Sequence, residues 1–376
     1  MKVPQLDLPA QYAGLRAEIR ARVDALFEAQ SFILGKTVSD FEAAMAAFLG
    51  VPATVGVASG SDALIIALAV LDVGPGDEVL LPAFTFFATA GAVVQRGATP
   101  VFVDVDEDFL MDPADAHRLV TPRTKAVIGV HLYGRQMDWR PWRALAAERG
   151  LFLIEDAAQS VGARDALGAS GSLGHIGALS FFPSKNLGGA GDGGLLAGPD
   201  AALLERARRY RNHGETQRYH HAEVGVNGRL DALQAAVLHA KLPHLEAWNR
   251  ARRAIARRYA DGIAARGLAE RLRAPRLPAP GSEEHVFHQF TLRVQDGRRD
   301  ALLAHLVADG IGAAVYYPLP LHRQPCFASL ASARRALPMT ERLAAEVLSL
   351  PIYPELGEAR EQRVLDSLAV FYARGA

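Results

Sequence analysis

Two segments near the middle of the chain carry residue types that could do chemistry together. An apolar run at 151–155 leads to Asp156 and then Gln159, and further along Lys185 stands before a glycine-rich stretch. A carboxylate can stabilise a protonated pyridine nitrogen, and a lysine amine can form a Schiff base with an aldehyde. Pyridoxal phosphate offers both partners. The pairing therefore indicates an enzyme that uses this cofactor.

Asp156 and Gln159 have a functional and a structural interpretation. Asp156 follows a run typical of a buried strand, where an unpaired carboxylate is costly. A pyridinium partner would stabilise it, but Asp156 could instead cap the next helix. Gln159, three residues later, would lie on the same helical face and could donate to the phenolic oxygen of the cofactor. Together the two residues favour a binding site.

Lys185 precedes the glycine-rich segment 186–194, and glycines let a backbone approach a bulky ligand closely. An apolar pocket would favour the neutral, nucleophilic form of this amine. An isolated lysine is more often a surface residue on a loop. Ser180 could contribute a hydroxyl to a phosphate site. Phe86 could stack on a pyridine ring, although core packing is the commoner role for a single phenylalanine.

The segment Ser59-Gly60-Ser61 precedes an apolar helical run. Backbone N–H groups and hydroxyls at a helix N-terminus suit a phosphate, but Ser59 or Ser61 could simply cap the helix. Taken alone, capping is the better explanation. The order of a hydroxyl and glycine loop, an aromatic residue, an aspartate, a serine and a lysine favours a cofactor site.

Alternating elements would position these residues. Apolar runs at 78–82, 100–104, 124–131 and 151–155 predict strands, and helical patterns lie between them at 61–71, 85–95 and 139–149. Near-continuous apolar strands separated by helices predict an α/β fold with a mostly parallel sheet covered on both faces. Ligands bind such sheets at the carboxyl ends of the strands, which places Asp156 at the rim of a site.

After residue 227 the regular alternation of strand and helix patterns ends. Helices are predicted at 230–246, 249–266, 299–309 and 339–349, and a strand at 287–294. We therefore predict a large domain at residues 1–245 and a smaller C-terminal α+β domain at 246–376.

Global composition narrows the class of protein. Lys plus Arg equals Asp plus Glu, at 41 each, so the balance gives no basic field for nucleic acid or an anionic membrane. The lone Cys326 suits a reducing compartment. No leader-like or membrane-spanning run is evident, and no metal-ligand motif, so we expect a cytoplasmic protein without a membrane or metal partner.

Several colinear motifs resemble those of one enzyme family, the DegT/DnrJ/StrS sugar aminotransferases, which have the aspartate-aminotransferase-like fold type I. The motifs start at Pro4, Phe32, Ser59, Glu155, Ser180, Gly225 and Tyr316, and together they run along the whole chain.

The resemblance implies a role for each matching residue. Lys185 would bond to the cofactor and move protons, Asp156 would bind its pyridine nitrogen and Gln159 its phenolic oxygen. Ser59, Gly60, Ser61 and Ser180 would hold the phosphate. Asn227 would reach that phosphate from the partner subunit of a homodimer. The expected contacts to the substrate are Arg229, Tyr316, Tyr317 and His322.

The resemblance also implies an activity: transfer of an amino group from glutamate to a keto-sugar nucleotide. The segment 218–231 is similar to enzymes that aminate C3 of a UDP-linked 3-keto-N-acetylglucosaminuronate. The expected acceptor is therefore a UDP-linked 3-keto-N-acetylhexosamine or uronate. A dTDP-3-keto-6-deoxyhexose or a C4-keto sugar as acceptor, and a dehydratase on the same cofactor, remain alternatives. A regulatory or scaffold protein that retains the fold is disfavoured by the presence of Asp156, Gln159 and Lys185.

Overall fold

Helices and strands alternate along most of the chain in a computed structural model that describes residues 1–373. The helices are α1 (Leu8–Ala29), α2 (Gly35–Leu49), α3 (Gly60–Val70), α4 (Ala88–Gln95), α5 (Pro113–Leu119), α6 (Arg140–Arg149), α7 (Ala201–Tyr210), α8 (Ala232–Lys241), α9 (Leu245–Ala265), α10 (Arg299–Ala308), α11 (Pro338–Glu346) and α12 (Glu358–Ala373). The strands are β1 (Ala53–Val57), β2 (Glu78–Pro82), β3 (Thr99–Val103), β4 (Thr124–Val130), β5 (Phe152–Asp156), β6 (Arg164–Asp165), β7 (Gly168–Ala169), β8 (Ile176–Ser180), β9 (Gly194–Gly198), β10 (Glu215–Gln217), β11 (His220–His221), β12 (Leu272–Arg273), β13 (Phe290–Val294) and β14 (Val347–Leu350).

A seven-stranded sheet forms the centre of the fold, in the order β1-β9-β8-β5-β4-β2-β3. The neighbours from β8 to β3 run parallel, and β9 is antiparallel to both β1 and β8. The strands are almost entirely buried, as expected where helices cover both faces. The prediction of an α/β fold with a mostly parallel sheet is confirmed.

Helices pack on both faces of this sheet. On one face, α3 and α4 bury Ile66 and Val93 against Ile128 and Ile154 of the strands. On the other face, α2 and α8 form a second core with the side chains that point the opposite way, including Leu179. The sheet is therefore a rigid platform whose strand ends are fixed relative to each other.

A smaller antiparallel sheet, β12-β13-β14, lies in the C-terminal part of the chain. Its core includes Tyr259 of α9, Leu292 and Leu368, and also Val3 from the start of the chain. Leu321 and Leu337 pack instead in the core of the central sheet. The domain boundary between 245 and 246 stays a prediction, although α9 does begin at Leu245.

Two predicted helices end earlier in the structure than the sequence pattern indicated. The run at 230–246 is divided, because α8 ends at Lys241 and Pro243 sits in a separate 3₁₀ turn, Leu242–His244. Proline lacks the N–H needed to continue an α-helix. The run at 339–349 becomes α11 followed by β14, since pairing with β13 takes the last residues into the small sheet.

The strand predicted at 287–294 begins only at Phe290. Phe287 has a φ of +45°, in the left-handed region, so the chain turns there before it enters β13. Helices α1 and α2 lie outside the elements assigned from the sequence. No helix within residues 1–373 is both long and apolar enough to cross a bilayer.

Candidate active site

The carboxyl ends of β1, β2, β4, β5 and β8 open onto a cavity of about 480 Å³. Residues 288, 289, 316 and 317, from the C-terminal part of the chain, also line it. Ten of the residues singled out in the sequence line this cavity: Ser59, Gly60, Ser61, Phe86, Asp156, Gln159, Ser180, Lys185, Tyr316 and Tyr317. The parallel strands thus bring together residues that are widely separated in the chain.

Lys185 lies in the connection between β8 and β9, and its backbone N–H donates to the carbonyl of Phe182 at 2.8 Å. The same connection is anchored further on, where the buried Lys241 donates to the carbonyl of Gly188 at 2.5 Å. Burial lowers the pKa of the Lys185 amine to about 8, and the nearby Asp156 acts in the opposite direction. A larger fraction of this amine is therefore neutral and nucleophilic at neutral pH than for an exposed lysine.

Asp156 is the last residue of β5 and is buried. Its Oδ2 accepts a hydrogen bond from the Thr89 hydroxyl at 2.8 Å, and its Oδ1 accepts from the Ala158 N–H at 3.2 Å. Burial raises the pKa of this carboxyl, and these donors and the charge of Lys185 oppose the rise. A cationic ring nitrogen would supply the compensation that a buried carboxylate lacks here.

Gln159 is brought to the cavity by a turn and not by a helix. Residues 157–160 form a tight turn, in which Ser160 N–H donates to the Ala157 carbonyl at 3.1 Å, so the expected helix after Asp156 is absent there. Gln159 Oε1 accepts from the Tyr133 N–H at 2.7 Å, which leaves its amide nitrogen facing the Tyr317 hydroxyl at 3.1 Å. The contact with Tyr133 therefore fixes the orientation of the Gln159 amide, with its nitrogen free to donate to a phenolic oxygen.

Glu155, on the opposite face of β5, anchors the strand end that carries Asp156. Its buried carboxylate accepts from the N–H groups of Gly171 and Gly174 at 2.8 and 2.7 Å. His131 Nδ1 accepts from the Met137 N–H, so its Nε2 carries the proton and donates to Glu155 at 2.9 Å. The Leu173 N–H donates to the same carboxylate, so four hydrogen bonds tie β4 and β5 to the loop before β8.

Ser59, Gly60, Ser61 and Ser180 form a hydroxyl-lined end of the cavity. Ser59 caps α3, because its Oγ accepts from the Asp62 N–H at 3.0 Å. A Cβ on Gly60 would lie 2.7 Å from the Cβ of Ser180, so only glycine lets the two segments meet. The first N–H groups of α3 have no partner within the helix. The capping interpretation therefore holds for Ser59, and Ser61 and Ser180 remain the hydroxyls for a phosphate.

The chemical groups that line the cavity match the groups of pyridoxal phosphate. The helix N-terminus with its serines suits the phosphate, and the buried Asp156 suits a ring nitrogen. Lys185 suits the aldehyde carbon. The ring of Phe86 is 55 % exposed at the cavity, with its centroid 6.1 Å from that of Tyr317, so an aromatic face is available for stacking.

Three predicted site residues lie away from this cavity. Asn227 is exposed, and Arg229 donates to the Asn212 side chain at 2.8 Å. His322 has no exposed side-chain surface and contacts Glu341 at 3.1 Å. Contacts of Asn227 and Arg229 with the cofactor or substrate would need a second subunit, and the structure does not bring His322 to the cavity.

Several residues that line the cavity or contact its Asp156 were not found from the sequence. Thr89 and Tyr133 follow the ends of β2 and β4 by a few residues, which is the one local signal for them. His288 arrives from a segment more distant in the chain. No other local sequence pattern marks these residues, because only the tertiary structure brings their side chains to the site.

Comparison with known proteins agrees with the geometry. A model of the DegT/DnrJ/EryC1/StrS aminotransferase family matches residues 14–369. The chain is 48 % identical over 364 residues to UDP-N-acetyl-3-dehydro-alpha-D-glucosamine 3-aminotransferase of Acidithiobacillus ferrooxidans, covering 96 % of both chains. It is 43 % identical to dTDP-3-amino-3,4,6-trideoxy-alpha-D-glucose transaminase of Streptomyces venezuelae, covering 98 % of this chain and 95 % of that one.

Solved structures show the same fold. The crystal structure of DesV from S. venezuelae superposes with a TM-score of 0.93 at 42 % identity, covering 98 % of each chain. A second structure, from Bacillus subtilis with bound cofactor PMP, has a TM-score of 0.88 at 31 % identity, covering 94 % of this chain and 81 % of that one.

Proposed function

Because the chain belongs to the DegT/DnrJ/EryC1/StrS aminotransferase family, we propose that it moves an amino group from glutamate to C3 of a UDP-linked 3-keto-N-acetylhexosamine. The observation that carries the proposal is the placement of Lys185 and the buried Asp156 in one cavity of about 480 Å³. The class of enzyme is a pyridoxal-phosphate-dependent sugar-nucleotide aminotransferase.

Each cavity residue has a distinct task in such a transfer. When bound, pyridoxal phosphate supplies an aldehyde that carries the amino group between donor and acceptor and a ring that withdraws electrons. Asp156 holds the ring nitrogen protonated, and Thr89 orients that carboxylate. Lys185 provides the amine at the reacting carbon and takes and returns a proton there. Gln159, itself oriented by Tyr133, directs its amide nitrogen at the phenolic oxygen.

The charges in the cavity favour a neutral acceptor sugar. Among residues 1–373, no arginine lines this cavity, and Lys185 is committed to the cofactor. A uronate carboxylate would therefore need a cation from elsewhere, and Arg229 of a second subunit would have to serve both it and glutamate. A hexosamine without that carboxylate has no such requirement. The Acidithiobacillus relative, whose name describes such a neutral 3-keto sugar, supports this choice.

We further propose a cytoplasmic homodimer with shared active sites. Large apolar side chains are exposed, among them Phe182, which lines the cavity, and also Ile33 and Tyr219. Asn227 is exposed and Arg229 is partly exposed, and neither lines the cavity of its own chain. A second copy that covers the apolar groups would let Asn227 reach the partner's phosphate site. The single, exposed Cys326 suits a reducing compartment.

Turnover of a small panel of acceptors with glutamate tests the proposed reaction. The panel comprises UDP-linked 3-keto-N-acetylglucosamine, its 6-carboxylate analogue, a dTDP-linked 3-keto-6-deoxyhexose and a UDP-linked 4-keto sugar. We expect the first to give the highest kcat/KM, with one 2-oxoglutarate formed per aminosugar. A preference for another acceptor would overturn the substrate, and a sugar product formed without glutamate would indicate a dehydratase.

A further inference from the structure

A buried network extends from the residue next to Lys185 to His288. His288 Nδ1 lies 3.1 Å from Asn186 Oδ1. Asn186 Nδ2 donates to Asn249 Oδ1 at 2.8 Å and to the Val286 carbonyl at 3.2 Å. With its nitrogen used in this way, the Asn186 side chain presents its oxygen to the imidazole. His288 Nδ1 must then carry the proton, so Nε2 carries a lone pair.

Helix α9 supplies two buried side chains that keep this arrangement in place. Asn249 donates its amide nitrogen to the Val161 carbonyl at 3.1 Å, which leaves its oxygen for Asn186. Arg252, one turn along, donates to the carbonyls of Phe287 and His288 at 3.2 and 3.3 Å. The left-handed backbone at Phe287 is thus held by a guanidinium, and it turns His288 towards the cavity.

The other nitrogen of the imidazole faces the cavity. Within the part of the chain that the structure describes, His288 Nε2 makes no hydrogen bond, yet it is not among the fully enclosed polar atoms. His288 and Lys185 line the same cavity. Burial, followed by the charges of Lys185 and Arg252, holds the pKa of His288 well below its ordinary value, so the imidazole is neutral.

We infer that His288 Nε2 accepts a hydrogen bond from the amine of Lys185 when pyridoxamine phosphate occupies the cavity. The atom can only accept, because the Asn186 contact has used the one imidazole proton. An amine released in the cavity needs an acceptor that keeps it close to the reacting carbon. His288 is therefore a positioning residue that stabilises the charged form of Lys185 after it has taken a proton. The inference rests on Lys185 as the cofactor lysine.

A matched pair of variants tests this role. His288→Phe fills the site but has no lone pair, whereas His288→Gln places an amide oxygen or nitrogen where Nε2 lies. Both variants lose the contact with Asn186, so a shift of the pH midpoint that both share is due to the loss of that contact. A difference between their midpoints is due to the hydrogen-bond acceptor at the position of Nε2. The enzyme is loaded with pyridoxamine phosphate, which leaves the Lys185 amine free. The rate at which an acylating reagent modifies Lys185 is then measured against pH by peptide mass spectrometry.

The wild-type rate should rise with pH through the pKa of Lys185, which burial lowers to about 8 in the protein alone. Loss of a hydrogen bond to the ammonium form should move the midpoint of His288→Phe down by about one pH unit, with His288→Gln closer to wild type. An unchanged or raised midpoint in His288→Phe, or equal shifts in both variants, would overturn the inference. His288→Leu replaces His288→Phe if the latter does not fold.

The acceptor panel and this experiment fail independently. The labelling experiment uses no sugar, so a wrong acceptor leaves its outcome intact. If Lys185→Ala enzyme kept the absorbance of lysine-bound cofactor, the assignment of Lys185 itself would be lost, whatever the behaviour of His288.

Discussion

At the scale of single residues, the central feature is a carboxylate held by neutral donors. Asp156 receives a hydroxyl from Thr89 and a backbone N–H from Ala158, and no arginine pairs with it among the described residues. Such donors orient the carboxylate without neutralising it. The site therefore keeps a negative charge available for the cofactor's ring nitrogen.

Removal of that charge should stabilise the protein without cofactor but lower the turnover of the enzyme with cofactor bound. Burial raises the pKa of Asp156 in the folded apoprotein, so its contribution to stability is complete below the unfolded pKa and is lost as pH rises through the folded value. Asp156→Asn has no proton to lose. Its apoprotein should melt at a higher temperature than wild type at pH 8, with the gap closing in acid, while turnover falls by about 100-fold or more.

Melting curves at several pH values and steady-state kinetics check this expectation. Asp192→Asn is the control, because Asp192 lines the same cavity but is exposed. A lower melting temperature for apo Asp156→Asn at pH 8 would contradict it.

The Thr89 hydroxyl should be worth a measurable part of cofactor affinity. Thr89→Val keeps the shape of the side chain and removes the donor to Asp156. The loss of a hydrogen bond to a charged group, about 1.5 kcal/mol or more, predicts roughly tenfold weaker binding of pyridoxal phosphate. Fluorescence titration of the apoprotein measures this. Thr85→Val is the matched control, since Thr85 contacts Thr89 and not Asp156; equal effects of the two variants would refute the role of Thr89.

The site residues that could be predicted from the sequence are those with a recognisable pattern in the neighbouring residues. Asp156 ends an apolar strand and Lys185 precedes a glycine run, so a local pattern accompanies each. Thr89 and His288 have no such pattern, because a threonine in a helix or a histidine beside a strand is common in any fold. Their contacts join residues far apart in the chain and arise only from tertiary packing.

At the scale of elements, the connection between β8 and β9 is closely packed. A Cβ on Gly188 would lie 2.3 Å from the Pro183 carbonyl oxygen, a backbone atom that cannot turn aside. Gly188→Ala should therefore destabilise the fold by about 1–3 kcal/mol and weaken cofactor binding through movement of Lys185.

Gly14→Ala provides the contrast, because nothing lies within 4 Å of the added Cβ in helix α1. It should stabilise the protein by up to about 1 kcal/mol through helix propensity. Urea unfolding of both variants gives the two free energies. Destabilisation by Gly14→Ala, or none by Gly188→Ala, would contradict the packing described.

The elements that could be predicted from sequence are those buried on two faces. The run at 78–82 has the bounds of β2, since continuous apolar residues between turn formers leave little choice. Helix α1 was missed because its buried residues, Leu15, Ile19 and Leu26, are few among many polar and alanine positions. The division of 339–349 into α11 and β14 depends on pairing with β13, which the local sequence does not contain.

At the scale of the whole molecule, the proposed exchange of Asn227 between subunits can be tested by mixing two defective proteins. Lys185→Ala lacks the amine and Asn227→Asp places a charge near the phosphate, so each alone should be nearly inactive. In a mixed dimer, the subunit with Lys185 would receive a wild-type Asn227 from its partner. Random mixing should then restore about a quarter of wild-type turnover.

Co-expression with two affinity tags gives the mixed dimer in isolation, and a Lys185→Ala dimer carrying both tags is the control. Absence of recovery in a mixed dimer that does form would show that Asn227 serves its own subunit. A monomer in sedimentation experiments would refute the shared site altogether.

The position of β1 has a consequence for the time course of synthesis. This edge strand pairs with β9, whose residues are made about 140 positions later, so roughly 7–28 s of translation separate the two partners. Until Gly194 emerges, β1 has no neighbour in the sheet, and the loop at 59–61 has no fixed strand before it. The strand that leads into the phosphate cradle therefore gains its place in the sheet only after Asp156, Ser180 and Lys185 have been made.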